Sequence, residues 1–442
     1  MRAMVYLHIG LHKTGTTSIQ QTMYESRETL LAHGINYLAI DANHGPIIIS
    51  MLSDAPDKDP RNIRRFIDTP AKARVYNTWN RRRLKRELRR NRSPKFLISG
   101  EGLSGLKHEK ILALKKLLDP YASGYRIIVY ARDPYGFANS ASLQRLKSGA
   151  VLGRWDRKMP LPNHKRKLEK YIRVFGRENV DIRLFDPGRW VNNDLVSDFL
   201  VAIEEKAELR NELNVVRANQ SMSHEAAMIL SETNIAVPAS VKGLANRNRA
   251  SGFHLYIAEI KGEKHFIDPE TYQQFGRQAL VDSIWLNRTI GEQVFRKTKP
   301  NAASAPRWSA TTVESIREVV RKLAAGIEDV KTSGDFDPTW SGRLRKFTRW
   351  FSKPGHSGAK PNRDPYAPIV VPAGLEWLED DVRNPTADKS QPLTAMPTFD
   401  QPMIRSVGCF IHDLALTLQQ LKADRRLRAG LRLGRRRMWD ED

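Results

Sequence analysis

Two glycines with a lysine between them form the part of this chain best suited to chemistry. Residues 5–18, VYLHIGLHKTGTTS, combine a short apolar run, a loop bounded by Gly10 and Gly15, and three hydroxyl residues where a helix is predicted to begin. Glycine lets the backbone curl with successive N–H groups pointing inward, and the first turn of a helix has N–H groups without intrahelical partners. Such a loop suits a phosphate-like anion, and Lys13 adds a positive charge beside it.

The position of that lysine separates the loop from the loop of nucleotide triphosphatases. Their pattern is G-x-x-x-x-G-K-[ST], with the lysine directly after the second glycine. Here Gly10 and Gly15 keep the spacing, Thr16 takes the lysine position, and Lys13 lies inside the loop. The sequence therefore predicts an anion cradle that lacks the lysine placement of a triphosphatase.

A second phosphate-binding pattern follows further along the chain. A strand is predicted to end at Arg132, with Asp133 as the N-cap of the next helix and Pro134 in its first turn. Ser140 lies about two turns into that helix. An arginine fork with a hydroxyl is a good receptor for a phosphate dianion. The competing interpretation is an ion pair between Arg132 and Asp133, with a solvated serine.

These motifs need a scaffold that brings distant segments together. Short apolar runs that alternate with helical stretches predict strands at residues 5–9, 35–38, 96–98, 127–131 and 180–185. Such runs suit strands that are buried on both faces of a parallel sheet, which predicts a three-layer α/β fold. Ligands bind at the carboxyl ends of such strands, so we expect the loop, residues 99–101 and residues 132–134 to converge there.

The composition favours anionic partners. The 442 residues carry 73 Lys and Arg against 49 Asp and Glu, a formal net charge of +24. This balance suits nucleotides, acidic glycans, nucleic acid or membrane surfaces. The single cysteine, Cys409, rules out an intrachain disulfide and a cysteine-based metal site. No run approaches the roughly 20 apolar residues of a membrane span, and residues 4–11 lack a signal-peptide cleavage site, so we expect a soluble, cytoplasmic protein.

Basic and proline-rich segments mark the remaining organisation. Residues 61–92 contain 13 Lys and Arg and two acids, and their helical part is either a solvated face or a site for an acidic acceptor. Residues 422–437 contain eight Lys and Arg and one acid, which fits a solvated tail or a peripheral contact with an anionic membrane. We predict helices at residues 307–326 and 403–421. The predicted regions are a main α/β domain, a helical extension, a proline-rich linker or wrap, and a helix with a basic tail, at residues 1–300, 301–351, 352–402 and 403–442.

Together the two phosphate motifs resemble those of the sulfotransferases that use 3′-phosphoadenosine 5′-phosphosulfate (PAPS). Residues 11–18, LHKTGTTS, match the family pattern [PH]-K-[TS]-G-[TS]-[TS], and Arg132 and Ser140 have the spacing of its later Arg and Ser. The resemblance covers about residues 1–300 and implies the P-loop-like sulfotransferase fold, in its bacterial and glycan-modifying branch, with a mostly helical C-terminal extension. The Arg-Lys-Gly-x-x-Gly-Asp-Trp element of the small-molecule branch is absent, so the adenine contacts stay unassigned.

The resemblance also implies a role for each matched residue. Lys13 would bind the bridging and sulfonate oxygens of PAPS and stabilise charge on the leaving phosphate. Arg132 and Ser140 would hold the 3′-phosphate, which distinguishes PAPS from ATP. No divalent metal is expected in this scheme. The backbone and hydroxyl donors to the 5′-phosphate would be Thr14, Gly15, Thr16, Thr17 and Ser18.

An acceptor hydroxyl or amine needs a general base. Glu101 is the first candidate because it follows a predicted strand beside the loop, and glycan-modifying members of the family often use a glutamate where small-molecule members use a histidine. The competing interpretation is that Glu101 caps the next helix or pairs with an arginine. His12 and His8 are alternative bases, although His8 suits a core strand and His12 suits a role in positioning the loop.

The expected function is transfer of the sulfuryl group from PAPS to a hydroxyl or amine, with a saccharide or glycoconjugate as the expected acceptor. Lipid-linked sugars and small hydroxyl metabolites stay open as acceptors. A P-loop kinase or nucleotide-binding protein is an alternative, although Thr16 stands where its lysine belongs. A non-catalytic binder of acidic polymer or nucleic acid is the other alternative. No nucleic-acid motif with stacking aromatic residues is present, so we expect no nucleic-acid partner.

Overall fold

The computed structural model describes residues 2–90, 93–153, 160–216, 222–241, 244–246, 248–295, 306–332, 367–386 and 396–439, without the side chains of Arg90, Leu244 and residues 424–439. The chain forms two units, each built from several segments. The first unit comprises Met1–Ala141, Met159–Asn219 and Asp268–Pro300. The second unit comprises Ser142–Lys158, Gln220–Ile267 and Asn301–Asp442.

Five parallel strands form the sheet of the first unit, each where the sequence predicts one. They are β1 (Ala3–His8), β2 (Ile35–Tyr37), β3 (Lys95–Ser99), β4 (Ala122–Ala131) and β5 (Val180–Leu184). Their order in the sheet is β2-β3-β1-β4-β5, so β1 lies at the centre between β3 and β4. The second unit has an antiparallel pair among its described residues, β6 (Ser240–Val241) and β7 (Leu244–Ala245).

The described residues also form sixteen α-helices and several short 3₁₀ helices. The α-helices are α1 (Thr16–Glu25), α2 (Arg27–Ala32), α3 (Gly45–Leu52), α4 (Pro60–Ile63), α5 (Pro70–Arg90), α6 (His108–Leu118), α7 (Pro134–Lys147), α8 (His164–Phe175), α9 (Leu195–Ala202), α10 (His224–Ala236), α11 (Phe253–Ile257), α12 (Pro269–Gln273), α13 (Gly276–Ile290), α14 (Ala310–Thr332), α15 (Glu379–Arg383) and α16 (Gln401–Trp439). The 3₁₀ helices are Pro56–Lys58, Leu103–Gly105, Pro187–Arg189, Val191–Asn193, Ala207–Glu212 and Glu376–Leu378.

Helices cover both faces of the five-stranded sheet. Along β1, Val5 and Leu7 belong to one hydrophobic cluster, while Tyr6 belongs to the other, because successive side chains of a strand point to opposite faces. The first cluster also contains residues of α3, α5, α6 and α8, and the second contains residues of α1, α2 and α9. The first unit is therefore an α/β structure with a parallel sheet between two helical layers, which confirms the predicted class.

The strand order determines what meets at the carboxyl edge of the sheet. Because β3, β1 and β4 are parallel neighbours, the segments that follow them leave the sheet on the same side. Those segments are the glycine-bounded loop, residues 100–102 and residues 132–133. The predicted helix start after β4 is also correct, since Pro134 opens α7 and the Asp133 Oδ1 atom accepts a hydrogen bond from the Gly136 N–H at 2.7 Å.

The second unit has a helical core and a buried carboxylate that joins its segments. Its hydrophobic cluster is formed by residues of α10, α11, α14, α15 and α16. The Glu225 side chain is fully buried and accepts hydrogen bonds from the backbone N–H groups of Glu263 at 2.8 Å and Arg307 at 2.7 Å. A buried carboxylate is stable only with such donors, so Glu225 ties three separate stretches of this unit together.

The helices of the C-terminal third follow the sequence prediction, whereas the unit division differs from it. The helix predicted at residues 307–326 is α14, and the one predicted at 403–421 lies within α16. Gln220–Ile267, which we predicted as part of the main domain, belongs to the second unit because α10 and α11 pack in the same cluster as α14 and α16. Residues 352–366 and 387–395 of the predicted linker, and the side chains of the basic tail from residue 424, lie outside the described residues.

Candidate functional site

The loop after β1 adopts the backbone conformation of an anion nest. Lys13 and Gly15 both have left-handed backbones, with φ values of 65° and 69°. Alternation of left-handed residues with ordinary ones turns successive N–H groups toward one point, where an anion binds. A left-handed backbone costs a lysine roughly 1–2 kcal/mol, so the surrounding structure must hold Lys13 in place. Gly15 has a steric reason as well, since a Cβ there would lie 2.3 Å from the Leu195 Cδ2 atom.

Helix α1 begins directly after the nest and extends its set of donors. The Ile19 N–H donates to the Gly15 carbonyl at 3.2 Å, which begins the helical hydrogen-bond ladder. The N–H groups of residues 16–18 therefore precede that ladder at the positive end of the helix dipole. Nest and helix start together present several backbone donors to one anion.

The hydroxyl groups of the loop divide into two sets. Thr14 and Thr16 are buried, and their Oγ1 atoms donate to the Leu11 carbonyl at 2.7 Å and 3.1 Å. Both threonines therefore brace the loop from within. Thr17 and Ser18 are half-buried in the first turn of α1 and stand where the resemblance implies donors to a phosphate.

Arg132, at the end of β4, contacts the loop directly. Its Nη1 atom donates to the Lys13 carbonyl at 2.9 Å, and its guanidinium carbon lies 5.2 Å from the centre of the Phe185 ring. Burial lowers the pKa of the Arg132 guanidinium, which shows that the group is placed where desolvation opposes its charge. The Asp133 side chain caps α7, and Ser140 lies half-buried further along that helix.

Glu101, after β3, pairs with a histidine of the loop. The His12 Nδ1 atom lies 2.8 Å from the Glu101 Oε1 atom, with the two side chains 57% and 33% exposed. The hydrogen bond from His12 lowers the pKa of the Glu101 carboxyl, and the charges of Lys13 and His8 act in the same direction. The structure thus brings two predicted bases together, and His12 takes the pairing that we considered for an arginine.

This pairing assigns different chemistry to its two members. A carboxylate whose pKa is lowered is a weaker base, whereas it is well suited to accept the Nδ1–H of an imidazole. The His12 Nε2 atom then carries a lone pair and can accept a proton from a hydroxyl, as in other carboxylate–histidine pairs. The geometry therefore favours His12 as the base and Glu101 as the group that orients it.

His8 is part of the core and cannot reach a ligand. It is fully buried, its Nδ1 atom lies 2.8 Å from the Ser99 Oγ atom, and desolvation lowers its pKa to about 4. This burial supports the prediction that His8 is a core residue of the strand.

Asn43 positions Glu101 and His44 positions the end of β3, and no sequence pattern predicted either contact. The Asn43 Oδ1 atom accepts from the backbone N–H of Glu101 at 3.1 Å. The buried His44 accepts the Ser99 N–H at its Nδ1 atom, at 3.0 Å, and bonds the Leu38 carbonyl through Nε2 at 2.8 Å. These bonds join distant segments, so neither local spacing nor residue type could have predicted them.

No protein-family model, curated protein or solved structure matches this chain. Within the part of the chain that the structure describes, no group of three or more His, Cys, Asp and Glu side chains could hold a metal ion. No described helix is sufficiently long and apolar to span a bilayer. The geometry places a loop with converging backbone donors at the carboxyl edge of a parallel sheet, with an arginine on one side and a histidine–glutamate pair on the other.

Proposed function

We propose that this chain is a PAPS-dependent sulfotransferase that transfers the sulfuryl group to a hydroxyl or amine, with a saccharide or glycoconjugate as acceptor. The observation that carries the proposal is the meeting of three neighbouring strand ends at one loop. Arg132 donates to the backbone of Lys13, and Glu101 pairs with His12 in the same loop. Positive charge and a potential base therefore flank the backbone donors that suit the 5′-phosphosulfate.

The loop would stabilise the charge that develops on the leaving phosphate. In the transfer, a bond forms between the acceptor oxygen and sulfur as the bond between sulfur and the bridging phosphate oxygen breaks. Negative charge grows on that oxygen, next to Lys13 and the N–H groups of residues 16–18. Donors that are already in position cost no reorganisation at that moment, and each typically contributes about 2.7–4 kcal/mol.

The histidine–glutamate pair would accept the proton of the acceptor. As the acceptor oxygen bonds to sulfur, its proton moves to the His12 Nε2 atom, and Glu101 holds the Nδ1–H of the resulting imidazolium. The released product is 3′,5′-ADP with the sulfated acceptor. Arg132 and Ser140 are the proposed partners of the 3′-phosphate, with the Arg132 Nη2 and Nε atoms as the donors not used on the Lys13 carbonyl.

A ligand comparison tests the donor. Binding to the native state raises the melting temperature, by an amount equivalent to about 2.7 kcal/mol when the ligand is at 100 times its Kd. We expect 3′,5′-ADP to stabilise the protein more than 5′-AMP or ATP·Mg, and we expect Arg132→Ala to remove this preference. Arg126→Ala is the matched control, because it removes an arginine from the middle of the same strand, away from the loop. A preference for ATP·Mg in the wild type would support a kinase and overturn the proposal.

Substitution of each member of the histidine–glutamate pair tests the base. General-base catalysis typically contributes about 100- to 10,000-fold, so we expect His12→Gln to lose about that much in kcat/KM. If Glu101→Gln abolishes turnover while His12→Gln keeps the activity, Glu101 is the base and the assignment to His12 is wrong.

A further inference from the structure

One helix of the first unit has an exposed face that combines apolar and basic side chains. The side chains of α5 that point inward are buried at Ala73, Asn80, Leu84 and Leu88. On the opposite side, at helical spacing, the exposed residues are Lys72, Val75, Trp79, Arg82, Arg86 and Arg89. We call these six residues, together with Phe66 in the preceding turn, the outer face.

The apolar residues of the outer face are strongly exposed and line one groove. Phe66, Val75 and Trp79 are 79%, 72% and 56% exposed, and they border a groove of about 600 Å³ with an almost wholly apolar lining. Exposed apolar residues are usually scattered singly, whereas contiguous ones mark interaction sites. Ile63, in the adjacent helix α4, is also exposed and extends the apolar surface.

The fold holds Phe66 outward at a cost. Phe66 has a φ of 61°, which is a rare conformation for a bulky residue. The turn is closed by backbone hydrogen bonds from Phe66 to Ile63 and from Ile67 to Asn62, each 2.9 Å long. The buried Asn62 is fixed in turn by its hydrogen bond to the Ser50 hydroxyl at 2.8 Å. The exposure of this ring is therefore a fixed feature of the fold.

The basic part of the outer face carries charge that no described residue neutralises at three of its positions. Lys72 pairs with Asp68 at 2.7 Å, whereas Arg82, Arg86 and Arg89 form no ion pair with any residue that the structure describes. Their spacing places them in one row that continues the row of Val75 and Trp79. Exposed apolar side chains and exposed guanidinium groups thus lie on the same side of one 21-residue helix.

We propose that the outer face docks the protein on a membrane that contains anionic lipids. Exposed Phe66, Val75 and Trp79 enter the boundary between headgroups and acyl chains, and the arginines contact lipid phosphates, as in helices that lie in the membrane plane. Contact with a hydrated polyanion does not remove an exposed valine or phenylalanine from water, so these side chains would add no binding free energy. A sugar needs more polar partners than this groove offers. The inference does not depend on the proposed reaction.

Docking at this place would also present the loop to molecules at the membrane. The Arg61 Nη1 atom, in helix α4, lies 3.8 Å from where a Cβ on Gly102 would stand. Gly102 follows Glu101 directly, so the segment that precedes the outer face borders one side of the candidate site. An acceptor attached to a lipid would therefore be close to both.

Vesicle binding by the full-length protein tests the proposal. We expect tight binding to vesicles of phosphatidylcholine with phosphatidylserine, and weak binding to phosphatidylcholine alone. Replacement of Arg82, Arg86 and Arg89 by Gln should reduce the partition coefficient about 100-fold, at roughly fivefold for each arginine. The variant with Phe66→Asn and Trp79→Ser should reduce it at least about tenfold. Melting curves confirm that both variants are folded, as expected for exposed positions.

Matched controls separate this surface from general charge and from other exposed apolar residues. Arg166, Arg277 and Arg288 are exposed arginines elsewhere in the first unit, and their replacement by Gln makes the same change in net charge. Leu255→Ser with Val241→Ser removes two exposed apolar side chains from the second unit. Both controls should bind vesicles nearly as well as the wild type. If they lose as much binding as the outer-face variants do, the outer face is not the docking site.

The apolar variant also distinguishes a membrane from an acidic polymer. Binding to soluble dextran sulfate should depend on the three arginines and not on Phe66 or Trp79. Lipids brominated on their acyl chains should quench tryptophan fluorescence less in Trp79→Phe than in the wild type. Vesicle binding that is unchanged by Phe66→Asn with Trp79→Ser, or quenching that is unchanged by Trp79→Phe, would overturn the proposal and assign the arginines to an acidic polymer.

Discussion

The loop after β1 and the outer face of α5 both offer positive charge, but in opposite ways. In the loop, backbone donors converge on one point, Arg132 is tied to the Lys13 carbonyl, and His12 is tied to Glu101. On the outer face, the arginines are exposed and lack ion-pair partners among the described residues. Convergent, fixed groups select a small anion by its geometry, whereas an exposed row suits a surface whose charges can move. If both proposals hold, the net charge of +24 serves two different kinds of recognition.

Removal of the loop lysine should produce the largest difference in activity between variants of the loop and variants of the outer face. Lys13→Met keeps the length of the side chain and removes its charge, so sulfuryl transfer should fall about 100- to 1,000-fold, equivalent to about 2.7–4 kcal/mol of barrier. Transfer from PAPS to a panel of saccharide acceptors measures the effect. Lys72→Met, the same substitution on the outer face, should leave the transfer rate unchanged. Equal losses in the two variants would mean that the charges act only through the overall field.

A side chain at Gly15 should distort the loop and leave the outer face intact. Gly15→Ala places a Cβ at a left-handed backbone and 2.3 Å from the Leu195 side chain. The expected loss is about 2–4 kcal/mol in the free energy of unfolding, measured by urea titration. Gly105→Ala is the control, because a Cβ there meets nothing within 4 Å. If Gly15→Ala is as stable as Gly105→Ala, the nest is less constrained than its geometry implies.

Acid should weaken the sheet edge before it affects the arginines of the outer face. Desolvation lowers the pKa values of His8 and His44 from 6.5 to about 4. The unfolded chain therefore binds protons first as the pH falls, and stability that is present above pH 6.5 is lost between pH 6.5 and about 4. Each histidine should contribute a slope of about 1.4 kcal/mol per pH unit. Urea titrations across this range measure the slope, which His8→Asn should reduce; an unfolding free energy that does not vary with pH would contradict the burial of these rings.

The smallest expected effect is a change in the free energy of unfolding when the exposed Phe66 ring is replaced. Asparagine tolerates a left-handed backbone better than phenylalanine does, and Phe66 is too exposed to lose much packing. Phe66→Asn should therefore raise the free energy of unfolding by about 1 kcal/mol while it weakens vesicle binding. Thermal and urea unfolding measure the first effect. Val75→Asn, at an ordinary helical position, should weaken binding without that gain; a destabilised Phe66→Asn would show that the ring packs more than its exposure indicates.

The sequence was sufficient for the sheet and for the arginine beside the loop. The apolar runs at residues 5–9, 35–38, 96–98 and 127–131 became strands because their side chains are buried on both faces of the sheet, and the run at 180–185 became the edge strand β5. Asp133 caps α7 as its residue type predicts. The pairing of His12 with Glu101 could not be predicted, since 89 residues separate them and either side chain has several plausible partners. The inward-facing hydroxyls of Thr14 and Thr16 depend on the curvature of the loop, which residue types alone do not determine.

The arrangement of segments in the second unit sets an order for its folding during synthesis. The last segment of the first unit ends at Pro300, so that unit can close well before the chain is complete. The apolar faces of α10 and α11 must wait for α16, which begins at Gln401. More than 130 residues separate α11 from α16. At a synthesis rate of 5–20 residues per second, this separation corresponds to a delay of roughly 7–30 s. Through that interval the nascent chain exposes a hydrophobic surface that chaperones can bind, so a stalled ribosome near residue 400 would release an aggregation-prone intermediate.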